Sequence, residues 1–298
     1  MSLEVLVLFP PAKINLWLRV LGRRKDGYHE VSTLLQMVDL RDRLTLCRRP
    51  GGTQVYCSHP DVPDGPENLA HRAACLFFDR IGTRGGVSIY IEKRIPMEAG
   101  LGGGSADAAA TLWGLNRLWN GGLSKGELKL LAEKVGTDVP FFLEGPRALG
   151  EGRGERLTEV DPEPSSPVVI VTPRIRISTR WVYETLKLKL TEKGRSPTIY
   201  SPPRDLSAIP KDRWSNDLEE VVAAAHPVIK EFRGRLTAEG AEFTSMTGSG
   251  PSVYGLFSNP TSAIRAVRSL RHPNCECWLT RTLSGREKTF GASKGAVG

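Results

Sequence analysis

The chain has 298 residues, with 40% of them hydrophobic and 25% charged, and 41 Lys and Arg against 33 Asp and Glu give a formal net charge of +8. These values exclude a collagen-like, low-complexity or strongly self-repelling disordered chain, and the length suffices for one large or two modest domains. The positive balance favours acidic partners such as nucleotides, phosphorylated metabolites or nucleic acid. The basic residues are scattered, without a stripe of interleaved aromatics, so a nucleic-acid surface is not expected.

In chain order, Val5 to Phe9 reads as a first strand rather than a signal peptide, and no apolar run is long enough to span a bilayer. A cytoplasmic protein is expected, and the five cysteines, odd in number and without framework spacing, read as reduced thiols. His272, Cys275 and Cys277 lack the fourth ligand that a zinc site wants. Strands are predicted at Ile14–Leu21, Val31–Val38, Arg43–Arg48 and Val87–Glu92, and a helix from Pro66 to Arg80. Ser105 to Trp119 repeats apolar residues at helical spacing. Ser124 to Val135 is a helix opened by a Ser124/Glu127 capping box and stopped by Gly136. Asp161 to Pro167, with three prolines in seven residues, is the natural linker. A second unit follows, with a strand over Val168–Thr172 and helices over Pro227–Glu239 and Pro260–Leu270. Residues 285–298 read as a disordered polar tail. The irregular alternation predicts two α+β domains, 1–160 and 161–284.

The most informative stretch runs from Pro96 to Ala109. Gly100, Gly102, Gly103 and Gly104 lead directly into Ser105, Ala106 and the helical pattern. Glycine admits positive φ and close approach of a ligand, and the first turn of a helix offers unpaired N–H groups at the positive end of its dipole. Together they make an anion site, best suited to phosphate. A P-loop would need Lys-Ser or Lys-Thr after its last glycine, and a dinucleotide fingerprint would need a strand running straight into the loop. Neither condition is met. A flexible linker, the plain structural alternative, has no need to end at a helix start.

Four further patterns can carry chemistry. Lys13 and Asn15 share one face of a strand, opposite Ile14 and Leu16. A strand lysine is usually a solvated edge residue. Asp26-Gly-Tyr-His-Glu30 reads as a hairpin tip exposing Tyr28 and His29. Asp138, between Gly136 and Pro140, reads as a helix cap with a carboxylate held in place. Met246-Thr-Gly-Ser-Gly-Pro-Ser-Val-Tyr254 places a glycine turn (Thr247, Gly248, Ser249, Gly250) between two strand-like segments.

Taken together and in this order, the patterns resemble the GHMP kinases (galactose, homoserine, mevalonate and phosphomevalonate kinases) from Pro11 to about Phe257. The resemblance implies a two-domain α+β fold, with a ribosomal protein S5 domain 2-like N-terminal domain, a ferredoxin-like C-terminal domain and the active site between them. It implies ATP and Mg²⁺, with Pro96, Gly100, Leu101, Gly102, Gly103, Gly104, Ser105 and Ala106 wrapping the ATP phosphates. Asn68 and Lys93 would lie at adenine, and Ser105 is the candidate metal ligand. It assigns catalysis to Lys13 and Asp138. Asp-Gly-Tyr-His is similar to one branch whose acceptor is a cytidine diphosphate-linked methylerythritol. Tyr28 would then stack on cytosine, His29 would bond its edge, and Tyr183 would complete the sandwich. Asn15, Asp138, Thr247, Gly248, Ser249 and Gly250 would bind the same substrate, and Asn216-Asp217 fits that branch. The alternatives are another acceptor in the family (homoserine, mevalonate or a sugar), a non-catalytic ATP-binding protein, or an RNA binder. A monomer or a homodimer is expected, with no membrane partner.

Overall fold

The structure, a computed structural model, describes residues 3–192, 214–285 and 289–297. Three antiparallel or mixed sheets organise it. The first contains β1 (Leu3–Leu8), β4 (Arg43–Arg49), β5 (Gly52–Cys57), β6 (Gly86–Glu92) and β13 (Ser293–Val297), in the order β13-β1-β4-β6-β5. The second contains the long strands β2 (Pro11–Arg23) and β3 (His29–Arg41), followed by β7 (Arg147–Gly152) and β8 (Arg156–Glu159). The third contains β9 (Pro167–Pro173), β10 (Phe243–Met246), β11 (Val253–Leu256) and β12 (Cys275–Arg281), ordered β10-β11-β9-β12. With helices inserted after β9 and β11, this third sheet is the split βαβ arrangement of a ferredoxin-like domain, as expected.

Helices α1 (Leu69–Ile81), α2 (Gly103–Leu118), α3 (Lys125–Val135) and the short α4 (Phe141–Glu144) cover the first sheet. Local chemistry defines their ends. Asn68 caps α1 by accepting from the Ala70 N–H, and Gly82 closes it in the left-handed region. Ser124 and Glu127 make the expected capping box of α3. Ala106, Ala108, Ala109 and Ala110 are fully buried, so α2 lies close against its neighbours. On the third sheet sit α5 (Thr179–Glu192), α6 (Glu219–Ala225), α7 (Val228–Ala238) and α8 (Pro260–Leu270).

The two-residue period of β9 divides the cores. Val169 and Val171 face the helices of the second unit, while Val168 and Ile170 join a core with Ala12, Ile14, Leu16 and Leu34 of the second sheet. Backbone bonds add to the connection, from Leu18 N–H to the Ser215 carbonyl at 2.9 Å and from Leu283 N–H to the Met37 carbonyl at 3.0 Å. Residues 160–166 join β8 to β9 without regular structure.

The strands β2 and β3 run well beyond their predicted spans because each extends past the apolar alternation into a charged hairpin. The tail differs more. Within 285–298, Phe290 is buried and Ser293–Val297 pairs antiparallel with Leu3–Val7, which corrects the expectation of disorder there; residues 286–288 and 298 lie outside the described residues. Ser293-Lys-Gly-Ala-Val297 has no apolar alternation, so it leaves little trace in hydropathy.

Gly114 marks the closest approach of α2 to the sheet. A Cβ there would stand 2.5 Å from Leu46 Cδ1 and 2.7 Å from Leu8 Cδ1. Both leucines are fully buried. Gly114→Val should therefore overpack this contact and cost about 1–3 kcal/mol in urea unfolding. An unchanged midpoint would show that the layer yields freely.

Candidate active site

A cleft of about 1240 Å³ opens between the second sheet, the glycine loop before α2 and the start of α5. Of the residues singled out in the sequence, Lys13, Asn15, Asp138, Tyr28, His29 and Tyr183 all line it. Gly100 and Gly102 of one glycine loop, and Gly248, Ser249 and Gly250 of the other, complete its floor.

Asn15 organises this floor. Lys13 and Asn15 alternate out of the apolar face of β2, as the pattern predicts, but both are buried, at 4% and 3% exposure, rather than solvated. The Asn15 Oδ1 accepts three hydrogen bonds: from Lys13 Nζ at 2.6 Å, Gly248 N at 2.9 Å and Thr247 Oγ1 at 3.1 Å. Its Nδ2 donates to Thr33 Oγ1 at 2.8 Å, and its backbone N–H donates to Thr247 Oγ1. The Thr247 hydroxyl also lies 3.1 Å from the Gly100 carbonyl. One amide thereby connects the lysine, the neighbouring strand and both glycine loops.

The loops touch through their backbones. Gly100 has φ +74°, and any Cβ there would collide with the Thr247 carbonyl. Gly102, at φ +71°, is the N-cap of α2, and a Cβ on it would press on Lys13 and Phe142 at 3.1 Å. Lys13 N–H holds the loop to β2 through the Leu101 carbonyl at 2.9 Å. Asn216 supports the second loop from below, donating to the Met246 and Gly248 carbonyls at 2.9 and 2.8 Å. The first turn of α2 then presents its free N–H groups to anions. Gly104 is exposed and Ser105 half-buried on that turn; the Ser105 hydroxyl makes no hydrogen bond among the described residues. The side chains of Leu101 and Ala106 face the cores, so only their backbones can serve a ligand, while Pro96 is half-buried ahead of the loop.

The electrostatics are asymmetric. Burial pulls the Lys13 ammonium below its usual pKa, and the nearby Asp138 carboxylate pulls it back up. Asp138 is half-buried and makes no hydrogen bond among the described residues, so its oxygens remain available. Tyr183 is pushed up to about 12, first by burial and then by Asp138, so its hydroxyl stays protonated.

Asn68 and Lys93 both have side-chain polar groups engaged within the protein. Asn68 spends its amide on the Ala70 N–H and the Pro63 carbonyl. Lys93 is neither a solvated strand end nor free for a ligand: its ammonium is held between Asp42 and Asp107, the latter at 2.9 Å, with all three side chains at 7% exposure or less. A Cβ on Gly103 would lie 3.0 Å from Lys93 Nζ, so this buried triad stands directly beneath the phosphate-type loop. The residues of the expected aromatic sandwich all line the cleft. Tyr183 stacks on His29, with centroids 4.9 Å apart and 25° between planes, while Tyr28 lies 56% exposed at the hairpin tip. The guanidinium of Arg153, a residue the sequence reading passed over, lies 5.0 Å from the Tyr28 ring centroid. Its only sequence signal was a glycine on either side, at Gly152 and Gly154.

The arrangement defines a phosphoryl-transfer site of the GHMP type, with a glycine loop at a helix start, a buried lysine and an unbonded aspartate. Residues 68–146 match the family described as GHMP kinases N terminal domain, and residues 205–274 the one described as GHMP kinases C terminal. The chain is 41% identical to the 4-diphosphocytidyl-2-C-methyl-D-erythritol kinase of Geobacter sulfurreducens, over 94% of this chain and 100% of that protein. It is 44% identical to the protein of the same name from Moorella thermoacetica, again over 94% and 100%. A crystal structure of 4-(cytidine 5'-diphospho)-2C-methyl-D-erythritol kinase superposes with a TM-score of 0.78 at 38% identity, covering 93% of this chain and 98% of that one. The chain belongs to the GHMP kinases, in the branch of these relatives.

Asn15→Ala should strand several buried partners at once and destabilise the fold by at least about 1–3 kcal/mol in urea unfolding. Faster amide exchange at Gly248 should accompany the loss; unchanged exchange would remove Asn15 as the organiser of the loops. Asp107 supplies a second test. Its carboxyl is pushed up to about 7 from 3.8, by burial foremost; Lys93 opposes the shift and Asp42 adds to it. Between these values the folded protein keeps a proton that the unfolded chain has released. The stability this contributes is therefore full below about pH 4 and lost as pH rises through about 7. Unfolding of Asp107→Asn, measured across the same window, should show a flatter decline than the unsubstituted protein. An identical decline would take Asp107 out of the titration.

Proposed function

We infer that this protein transfers the γ-phosphoryl group of ATP to the 2-hydroxyl of 4-diphosphocytidyl-2-C-methyl-D-erythritol, a step of the non-mevalonate route to isoprenoid precursors. The observation that carries this reading is the Asn15 junction. It ties Lys13 and the two glycine loops together in the cleft that Asp138 and the Asp-Gly-Tyr-His hairpin also line. A cleft of about 1240 Å³ exceeds the usual volume for one small ligand and suits two. In this reading 1–160 supplies the nucleotide side and 161–284 closes the acceptor side.

The chemistry asks mainly for positioning and charge. The N–H groups at the start of α2 hold the phosphates of ATP. Asp138, unencumbered by other hydrogen bonds, accepts the proton of the attacking hydroxyl. Lys13, fixed by Asn15, faces the charge that develops on the transferred group. Tyr28 offers the cytosine a stacking face, and His29, braced by Tyr183, offers its edge a polar group.

Magnesium fits this donor set. No group of three or more His, Cys, Asp or Glu is gathered among the described residues, and Mg²⁺ on a nucleotide takes most of its ligands from phosphate and water. The unbonded Ser105 hydroxyl, on the first turn of α2, is the protein oxygen that would hold it. When bound, the ion neutralises phosphate charge.

The test is ADP release with Mg-ATP, comparing the cytidyl acceptor with mevalonate, homoserine and galactose. Turnover with the cytidyl acceptor alone is expected; turnover with another acceptor would keep the kinase and discard the specificity. Asp138→Asn should lower kcat by about 10²–10⁴-fold with ATP affinity nearly unchanged. Near-normal turnover would remove Asp138 from proton transfer.

A further inference from the structure

One cation at the acceptor end of the cleft has no part in the function derived above. Arg153 sits in the turn between β7 and β8 and lines the cleft beside Tyr28 and His29. The other cleft-lining cations near it are engaged or differently placed. Lys13 is bonded to Asn15, Arg176 to Asp61 at 3.0 Å and Arg180 to Glu184 at 2.8 Å. Arg23 is exposed at the end of β2 but makes no ring contact with Tyr28 among the described residues. Arg153 differs from all of these. Its guanidinium carbon lies 5.0 Å from the Tyr28 centroid, and its nearest carboxylate, Glu155, stands at 3.9 Å, beyond hydrogen-bond distance. Glu155 instead accepts from the Arg153 backbone N–H at 2.6 Å, which fixes the turn. Tyr28 is fixed as well: Asp26 accepts from its N–H at 3.1 Å, and its carbonyl accepts from the Arg24 N–H at 2.8 Å.

A guanidinium can do two things at once. Its flat face stacks on an aromatic ring while its edge donates paired hydrogen bonds to phosphate oxygens. With Arg153 on one face of Tyr28, the opposite face is left for a base. In a nucleoside diphosphate, the phosphates are separated from that base by a single ribose. We propose that Arg153 is a substrate-binding residue that takes the diphosphate of the cytidine nucleotide, with its edge, while its face backs the Tyr28 ring. The proposal rests on the cytidyl reading above and adds to it a residue for the charged part of the acceptor.

The experiment is calorimetric titration of the full-length protein with CDP and, separately, with cytidine. Arg153→Met should weaken CDP by roughly ten-fold, the scale of a lost charge-assisted pair, and leave cytidine within about two-fold. Arg153→Lys should restore part of the CDP affinity, since it keeps the charge without the fork. In turnover, Arg153→Met should raise KM for the cytidyl acceptor while KM for ATP and kcat hold. Equal losses for CDP and cytidine would make Arg153 a support of the stack alone and overturn the proposal. So would unchanged CDP binding, or a larger CDP loss in Arg23→Met than in Arg153→Met. If the unsubstituted protein binds neither compound, the cytidyl reading itself falls, and this proposal with it; that result is separate from one in which it binds both and Arg153→Met changes neither.

Discussion

A single buried carboxamide sets the geometry on which the rest of the site depends. Asn15 Oδ1 accepts from a lysine, a threonine and a glycine N–H at once, and its Nδ2 reaches the next strand. No apolar side chain could replace it without leaving those donors unpaired in a place where water does not reach. Aspartate would match the acceptor but not the donor to Thr33. The two glycine loops owe their mutual position to this group, and their backbones are close enough that Gly100 tolerates no Cβ. The phosphate-binding face and the acceptor face are therefore one construction, although Lys13 and Gly248 stand 235 residues apart by their numbers.

The elements that hydropathy and end signals specify were readable from the amino acids. The capping box at Ser124, the helix after Gly104 and the paired strands around Gly248 all appear where composition and spacing place them. Lys13 and Asn15 were legible as one face of a strand, because alternation with Ile14 and Leu16 is a local property. That both would be buried was not, because their cover is supplied by Thr33, Gly100 and Thr247, far along the chain. Ser293–Val297 was missed because Ser-Lys-Gly-Ala-Val carries no alternation of its own, and its partner strand stands at the other end of the chain. The domain-level reading depended on resemblance, since nothing local indicates that Val168 and Ile170 would pack against β2 and β3.

Lys93 shows how a charge at a strand end can mislead. Just past the end of β6, it is enclosed by Asp42 and Asp107, and Asp42 also accepts from the Arg94 and Ile95 N–H groups at 2.6 and 2.9 Å. The second Asp107 oxygen, Oδ1, is buried with no hydrogen-bond partner among the described residues, and burial foremost, with Asp42 adding, raises that carboxyl. Two carboxylates and one ammonium beneath an anion-binding turn would carry a net negative charge if fully ionised. A proton on Asp107 removes that opposition. Such a pairing cannot be read from a sequence, because Asp42, Lys93 and Asp107 come from three separate elements.

The core shared by the second and third sheets bears on how ligands enter. Two lobes joined by a bare linker can swing apart as rigid bodies, whereas here β2 and β3 are fused to β9 and β11 by buried apolar contacts, and backbone bonds tie Leu18 to Ser215 and Met37 to Leu283. Opening the cleft along that seam would expose an apolar interior to water. The rim of the site is built instead from the Asp26–Tyr28 tip, the turn carrying Arg153 and the exposed Arg176–Asp61 bridge. The body of the enzyme is one frame rather than a hinge between two.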